Sequence, residues 1–214
     1  MIATIHQGLP VLAYGDESEL ARALVILLHG RGATAESILP IAELLYTEKA
    51  RFIIPQAALN RWYPQTAFDP LEANEPDLSS ALATIDDLVT GAVEEGFSHQ
   101  QIFLGGFSQG ACLAAEYVAR NARRYAGLFV FSGALIGSPG LPRNYPGRLD
   151  DMPIFIGGSD VDPWVALDFI KDTAKVFERM GANVDFRTYP GMDHTVNQDE
   201  INAVRDLISI TIAD

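Results

Sequence analysis

The chain is poor in cysteine, in basic side chains and in long apolar runs, and each shortage removes a class of protein. Its one cysteine, Cys112, has no partner for an intramolecular disulfide, so a disulfide framework of the secreted kind is excluded. Only 15 Lys and Arg stand against 28 Asp and Glu, a formal net charge of −13. Nucleic-acid affinity depends on Lys and Arg displacing counterions, so no nucleic-acid partner is expected. Anionic membrane surfaces are disfavoured for the same reason. The longest apolar stretch, Ala23 to Leu28, is far short of the roughly 18–20 residues that a membrane helix needs. The segment Met1-Ile2-Ala3-Thr4-Ile5-His6 lacks a basic region followed by an apolar one, so no secretory signal is expected. These absences predict a soluble cytoplasmic protein with no membrane partner.

What is present fits one globular domain over residues 1–214. The chain is 48% hydrophobic, and an α/β core of about 200–250 residues commonly forms a single unit. Short runs rich in Val, Ile, Leu and Phe predict strands at Leu24–His29, Arg51–Ile54, Gln101–Gly105, Gly127–Ser132, Pro153–Gly157 and Val184–Tyr189. Most are too continuously apolar for half-exposed strands, which favours a mainly parallel sheet covered on both faces. Between them, Leu78, Leu82, Ile85 and Val89 recur at helical spacing, as do Ala166, Phe169, Phe177 and Met180, and Ile201, Val204, Ile208 and Ile212. Ile2–Ile5, a Gly8-Leu9-Pro10 turn and Val11–Tyr14 predict a hairpin at the sheet edge. Two stretches broken by Gly and Pro, 55–76 and 137–153, read as irregular, and long loops with aromatic residues are more often functional than idle.

The strongest chemical signal is Gly106-Phe107-Ser108-Gln109-Gly110. It fits the G-x-S-x-G turn that lifts a nucleophilic serine above a sheet, and its context agrees. The apolar run Gln101–Gly105 precedes it and the Ala-rich stretch Ala111–Arg120 follows it. A sharp strand-to-helix turn brings its flanking positions against neighbouring backbone, which accounts for Gly106 and Gly110.

A serine hydroxyl needs a base, most often a histidine oriented by a carboxylate. His6, in the predicted hairpin, and His99, in a polar turn, suit solvated roles. His29 lies under the turn His29-Gly30-Arg31-Gly32, where bracing the loop is the simpler role. His194, in Gly191-Met192-Asp193-His194 after the last strand, occupies the place where catalytic groups gather in open α/β sheets. The carboxylate should lie between Ser108 and His194 in the chain, and Ser159-Asp160-Val161-Asp162-Pro163 supplies two candidates. Asp162 also suits a cap, and Asp160 a turn. The amides of Gln109 and Arg31 are the expected donors to a developing oxyanion.

Other chemistries lack their residues. No H-E-x-x-H or cysteine pair suggests zinc, and neither G-x-G-x-x-G nor a P-loop lysine suggests a nucleotide. No cofactor and no metal are therefore expected. Cys112 reads as a small apolar filler on the helix after Ser108. Arg120, Arg123 and Arg124 complement that helix's C-terminal end.

The turn His29–Gly32, the pentapeptide at Gly106–Gly110, Asp162-Pro163 and Gly191–His194 together resemble the phospholipase/carboxylesterase family of α/β-hydrolases, which includes the acyl-protein thioesterases. Motif order is similar from about Leu24 to the C-terminus. Arg61-Trp62-Tyr63-Pro64, Glu75-Pro76 and Leu78–Leu82 resemble the bacterial esterase branch. The resemblance implies a cofactor-independent serine esterase with a minimal lid and with Ser108, Asp162 and His194 at the triad positions. Ser159 and Ala166 replace a glycine and a proline usual in the family, and Asp193 replaces a glycine. The expected activity is hydrolysis of a small neutral ester of short-to-medium acyl length. An acyl-thioesterase or lysophospholipase would use the same triad, and a non-catalytic ligand-binding protein is the alternative from another class. Trp62, Tyr63, Phe68 and Trp164 are expected to line the substrate pocket, with an aromatic core under the long loop as the competing reading. Exposure of Trp62 and Phe68 would instead mark a homodimer contact.

Overall fold

A computed structural model describes residues 3–213. Seven strands, β1 (Val11–Gly15), β2 (Ala23–Leu28), β3 (Ala50–Pro55), β4 (Ile102–Phe107), β5 (Gly127–Phe131), β6 (Pro153–Gly158) and β7 (Asn183–Thr188), form one sheet in the order β1-β3-β2-β4-β5-β6-β7. Only β1 runs antiparallel to its neighbour. The six parallel strands match the expected runs because β2, β4, β5 and β6 are buried along nearly their whole length. Helices α1 (Ala35–Leu45), α2 (Asp77–Glu94), α3 (Gln109–Arg120), α4 (Leu167–Arg179) and α5 (Gln198–Ala213) cover both faces. One face packs Ile38, Ala42 and Leu45 of α1 and Ile201, Val204 and Ile208 of α5 against Phe52, Phe103, Phe129, Phe131 and Phe155. The other is covered by α2, α3 and α4, with Leu78, Ile85, Leu113, Val118, Ile170 and Phe177 in its core. This is an α/β-hydrolase arrangement. Among the described residues no helix is long and apolar enough to cross a membrane.

Two expectations about elements change. The edge hairpin does not form: β1 pairs with β3 instead, and the described residues 3–10 contain no strand, while Ile2 lies outside the described residues. The Ser80 hydroxyl accepts from the Ile5 and His6 amides, and the Pro10 carbonyl accepts from Gln56 N–H, so that segment spends its polar groups on α2 and on the end of β3. Helix α1, which contains Pro40, lies where no element was expected. It forms because Thr34 and Ser37 make a reciprocal cap and because Ala35, Ile38, Ala42 and Leu45 bury one stripe. The segments 55–76 and 132–152 are irregular apart from short 3₁₀ turns in the first.

Candidate active site

Every side chain of the candidate site comes from a loop at the carboxyl end of a parallel strand, so the sheet order sets its layout. Ser108 stands between β4 and α3. Its N–H donates to the Phe131 carbonyl of β5 at 2.9 Å, and its backbone adopts φ +56°, ψ −121°. For a non-glycine residue such a conformation costs on the order of 1–3 kcal/mol. The surrounding chain enforces it. A Cβ on Gly106 would stand 2.4 Å from the Leu28 carbonyl oxygen, and one on Gly110 would stand 2.2 Å from the same atom. Only glycine lets β4 and α3 close on β2 that tightly.

The Ser108 hydroxyl lies 2.8 Å from His194 Nε2, and His194 Nδ1 lies 2.6 Å from Asp162 Oδ2. With the proton on Nδ1, the imidazole donates to the carboxylate and accepts from the serine. The Asp162 carboxylate is fully enclosed. Its second oxygen accepts from the Trp164 and Val165 amides at 2.8 and 3.1 Å, so three donors satisfy a charge that burial would otherwise penalise. Of the two aspartates, Asp162 is therefore the one that meets His194. Asp160 accepts from the Gly191 N–H at 2.8 Å and latches the aspartate loop to the histidine loop. The Phe107 ring packs on the imidazole with centroids 4.7 Å apart. Neither the latch nor this contact was expected, since each joins residues distant in the chain. Asp193 is exposed.

The turn after β2 approaches from the other side. A Cβ on Gly30 would touch the Ser108 Cβ at 3.4 Å, so the turn that carries Arg31 packs against the serine. Among the described residues neither the Arg31 nor the Gln109 N–H donates to a protein acceptor. His29 is buried, donates from Nδ1 to the Gly30 carbonyl at 2.8 Å and accepts at Nε2 from the Ala57 amide at 3.1 Å. Burial pushes its pKa down, and the ring acts as a brace for the turn.

The aromatic residues divide. Trp62 and Tyr63 are 0% exposed, which corrects the expectation that they line an open pocket and removes Trp62 as a contact for a second chain. The Gln109 side chain clamps them, accepting from Trp62 N–H at 2.9 Å and donating to the Tyr63 carbonyl at 2.8 Å. The Trp62 indole N–H donates to the His29 carbonyl at 2.9 Å. Phe68 is half-buried and stacks on Phe169 of α4 at 3.9 Å. Phe169 in turn walls a depression of about 530 Å³ together with Leu135, Leu141 and Val176. Trp164, beside Asp162, is 73% exposed. His6 is also corrected: it is buried, donating from Nε2 to the Trp62 carbonyl and accepting at Nδ1 from the Ala58 amide. Cys112 is buried in α3, and burial pushes its thiol up to about 11.

A family model described as phospholipase/carboxylesterase matches residues 15–212. The chain belongs to that family. A crystal structure of a phospholipase/carboxylesterase from Dyadobacter fermentans is 36% identical, covers 98% of this chain and 100% of its own, and superposes with a TM-score of 0.91. Acyl-protein thioesterase 1 of Kluyveromyces lactis is 25% identical over 91% of this chain and 94% of its own length. The carboxylesterase of Bacillus cereus shares the fold, with a TM-score of 0.74 at 19% identity over 96% of this chain and 95% of its own. The family member described here is thus an ester-bond hydrolase by kinship with esterases and thioesterases.

Proposed function

We propose that this family member is a serine carboxylesterase that works through a covalent acyl-enzyme. The observation that carries the reading is the unbroken hydrogen-bonded row from Ser108 through His194 to Asp162. Ser108 Oγ attacks the ester carbonyl carbon while His194 Nε2 takes its proton. The negative charge that develops on the carbonyl oxygen is held by the free amides of Arg31 and Gln109. Asp162 keeps Nδ1 protonated and stabilises the imidazolium, which then returns the proton to the departing alkoxide. A water repeats the sequence on the acyl-enzyme and releases the acid. Each oxyanion donor of this kind is worth roughly 10²–10³ in rate.

Trp164, exposed next to Asp162, and Phe68, stacked on Phe169 at the rim of the depression, are the aromatic walls for the organic part of the substrate in this reading. The lone cysteine supports a cytoplasmic protein, and a net charge of −13 favours uncharged esters at long range. Ser108→Ala is expected to abolish hydrolysis of p-nitrophenyl esters while the fold survives, and a phosphonate should label Ser108 covalently. Unchanged turnover by the variant would overturn the reading, and an inert serine would favour a ligand-binding protein. A series of p-nitrophenyl esters of graded length reports the preferred acyl chain, expected to be short to medium. Thioester hydrolysis is the second reading, supported by relatives named acyl-protein thioesterase 1. The ratio of kcat/KM for matched oxygen and sulfur esters separates the two.

A further inference from the structure

The chain is acidic as a whole, yet the loops on one side of Ser108 carry two arginines, Arg31 and Arg61. Arg31 belongs to the turn that touches Ser108. Its Nη1 donates to the Pro64 carbonyl at 2.8 Å, its Nη2 donates to the Gln65 carbonyl, and its guanidinium lies 5.9 Å from the Tyr63 ring centroid. Arg61 sits between two tethers to the same site. The preceding Asn60 carbonyl accepts from Gly32 N–H at 2.7 Å, and the following Trp62 N–H is held by Gln109. The Nε of Arg61 is buried and has no hydrogen-bond partner. Burial first, and then the nearby charge of Arg61, lower the Arg31 pKa, with Tyr63 opposing them.

Among the described residues neither Arg31 nor Arg61 forms an ion pair, a state shared with Arg22, Arg123, Arg124, Arg179 and Arg205, whereas Arg51, Arg120, Arg143, Arg148 and Arg187 are paired. Of the unpaired arginines, Arg61 differs in having a buried Nε without a partner. The chain has 28 acidic side chains for 15 basic ones, so partners for a cation are abundant. The Gly32–Asn60 hydrogen bond joins the two segments that carry these arginines, like charges on them repel, and an arriving anion relieves that repulsion. Arg31 spends both terminal nitrogens on loop carbonyls, which leaves the fork of Arg61 free, and one planar fork matches the two oxygens of one carboxylate.

We infer that Arg61, reinforced by the fixed charge of Arg31, binds a carboxylate carried by the ester substrate, so that the site prefers carboxylate-bearing esters to neutral ones of equal size. This rests on the reading of Ser108 as the nucleophile. It also reverses locally the preference for neutral esters that the net charge alone supports.

The test compares kcat/KM for monomethyl succinate with that for methyl pentanoate, where the carboxylate is on the acyl side. A second pair, acetoxyacetate and propyl acetate, places it on the alcohol side. The wild type is expected to prefer the anionic member of one pair, and that preference should fall as salt is raised. Arg61→Gln should lower kcat/KM for the preferred anion by roughly fivefold, mainly through KM, the scale of one partly exposed charge contact. Its turnover of the neutral ester should be unchanged. Preference for the neutral ester in both pairs, or an equal effect of Arg61→Gln on charged and neutral esters, overturns the inference alone. Absence of turnover with all four esters overturns the esterase reading and the inference with it.

Discussion

Replacing Glu200 by glutamine should stabilise the protein at pH 8 and change little at pH 5. Glu200 is 0% exposed in the first turn of α5, where Asn197 caps the helix. Asn197 Oδ1 accepts from the Asp199 and Glu200 amides, and Glu200 Oε2 accepts from the Asn197 amide at 2.9 Å. Its other oxygen has no partner and lies against Gly157, where a Cβ would come within 2.1 Å. Burial pushes the carboxyl up to about 7 from an ordinary 4.5, the Asn197 amide opposing it and the Asp199 charge adding to it. An acid with a raised pKa is protonated more readily in the folded than in the unfolded chain, so stability falls as pH rises from 4.5 to 7. Above that window the ionised form carries a penalty of about 3 kcal/mol, from a shift of some 2.5 units at 1.36 kcal/mol each. Glutamine keeps the oxygen that accepts from Asn197 and never ionises. For a domain of this size about 3 kcal/mol corresponds to roughly 6–12 °C in Tm. Buried His6 and His29, whose pKa values burial lowers, make both proteins less stable as pH falls and cancel in the difference. Thermal unfolding followed by circular dichroism between pH 5 and 8.5 should show the gap between Glu200→Gln and wild type opening as pH rises. A gap independent of pH, or a wild type that is more stable at pH 8, refutes the reasoning.

Gly110→Ala places its methyl group 2.2 Å from the Leu28 carbonyl oxygen and 2.6 Å from that of His29, both backbone atoms that cannot yield cheaply. It should cost more than about 3 kcal/mol in urea unfolding, at the upper end of overpacking effects, and a loss under 1 kcal/mol would refute the close approach. Asp162→Asn retains an acceptor for the Trp164 and Val165 amides but loses the carboxylate that holds His194 Nδ1–H. It should lower kcat for an activated ester by roughly 10³–10⁴, and retention of more than a tenth of kcat counts against the assigned roles. Trp62→Phe removes the indole donor to the His29 carbonyl and leaves that buried oxygen unpaired. Equilibrium unfolding should register a loss of about 1–3 kcal/mol.

Continuous apolar runs made the parallel strands readable, since a strand covered on both faces needs no alternation to betray it. β7 was legible too, although its residues alternate in exposure. Ser108 and His194 were legible because each stands where a strand ends, and the glycines around Ser108 record a backbone contact that any side chain would break. Asp160 and Asp162 were not separable by position alone, and the family resemblance is what favoured Asp162. Both follow β6, and the three-dimensional turn shows Asp162 facing Nδ1 while Asp160 takes the Gly191 amide. No element was assigned where helix α1 forms, and the burial of His6 was hidden because its partners Ala58 and Trp62 lie some 50 residues away.

The aromatic loop shows most clearly what a linear reading misses. Trp62 and Tyr63 suggest a binding surface because they are large and lie in an irregular segment, yet a long loop that must hold still needs a core of its own. Here that core is tied directly to the chemistry. Gln109 contributes its amide to the candidate oxyanion site, and its side chain grips the backbone on both sides of the Trp62–Tyr63 peptide. The Trp62 indole reaches back to His29, under the turn that presents the Arg31 amide. On the proposed mechanism the two amides are therefore linked through one buried network, and Trp62 and Tyr63 fix the spacing between donors rather than touch the substrate. A change that loosens Trp62 should accordingly lower kcat more than it raises KM, because donor spacing matters most when charge has built up on the oxygen.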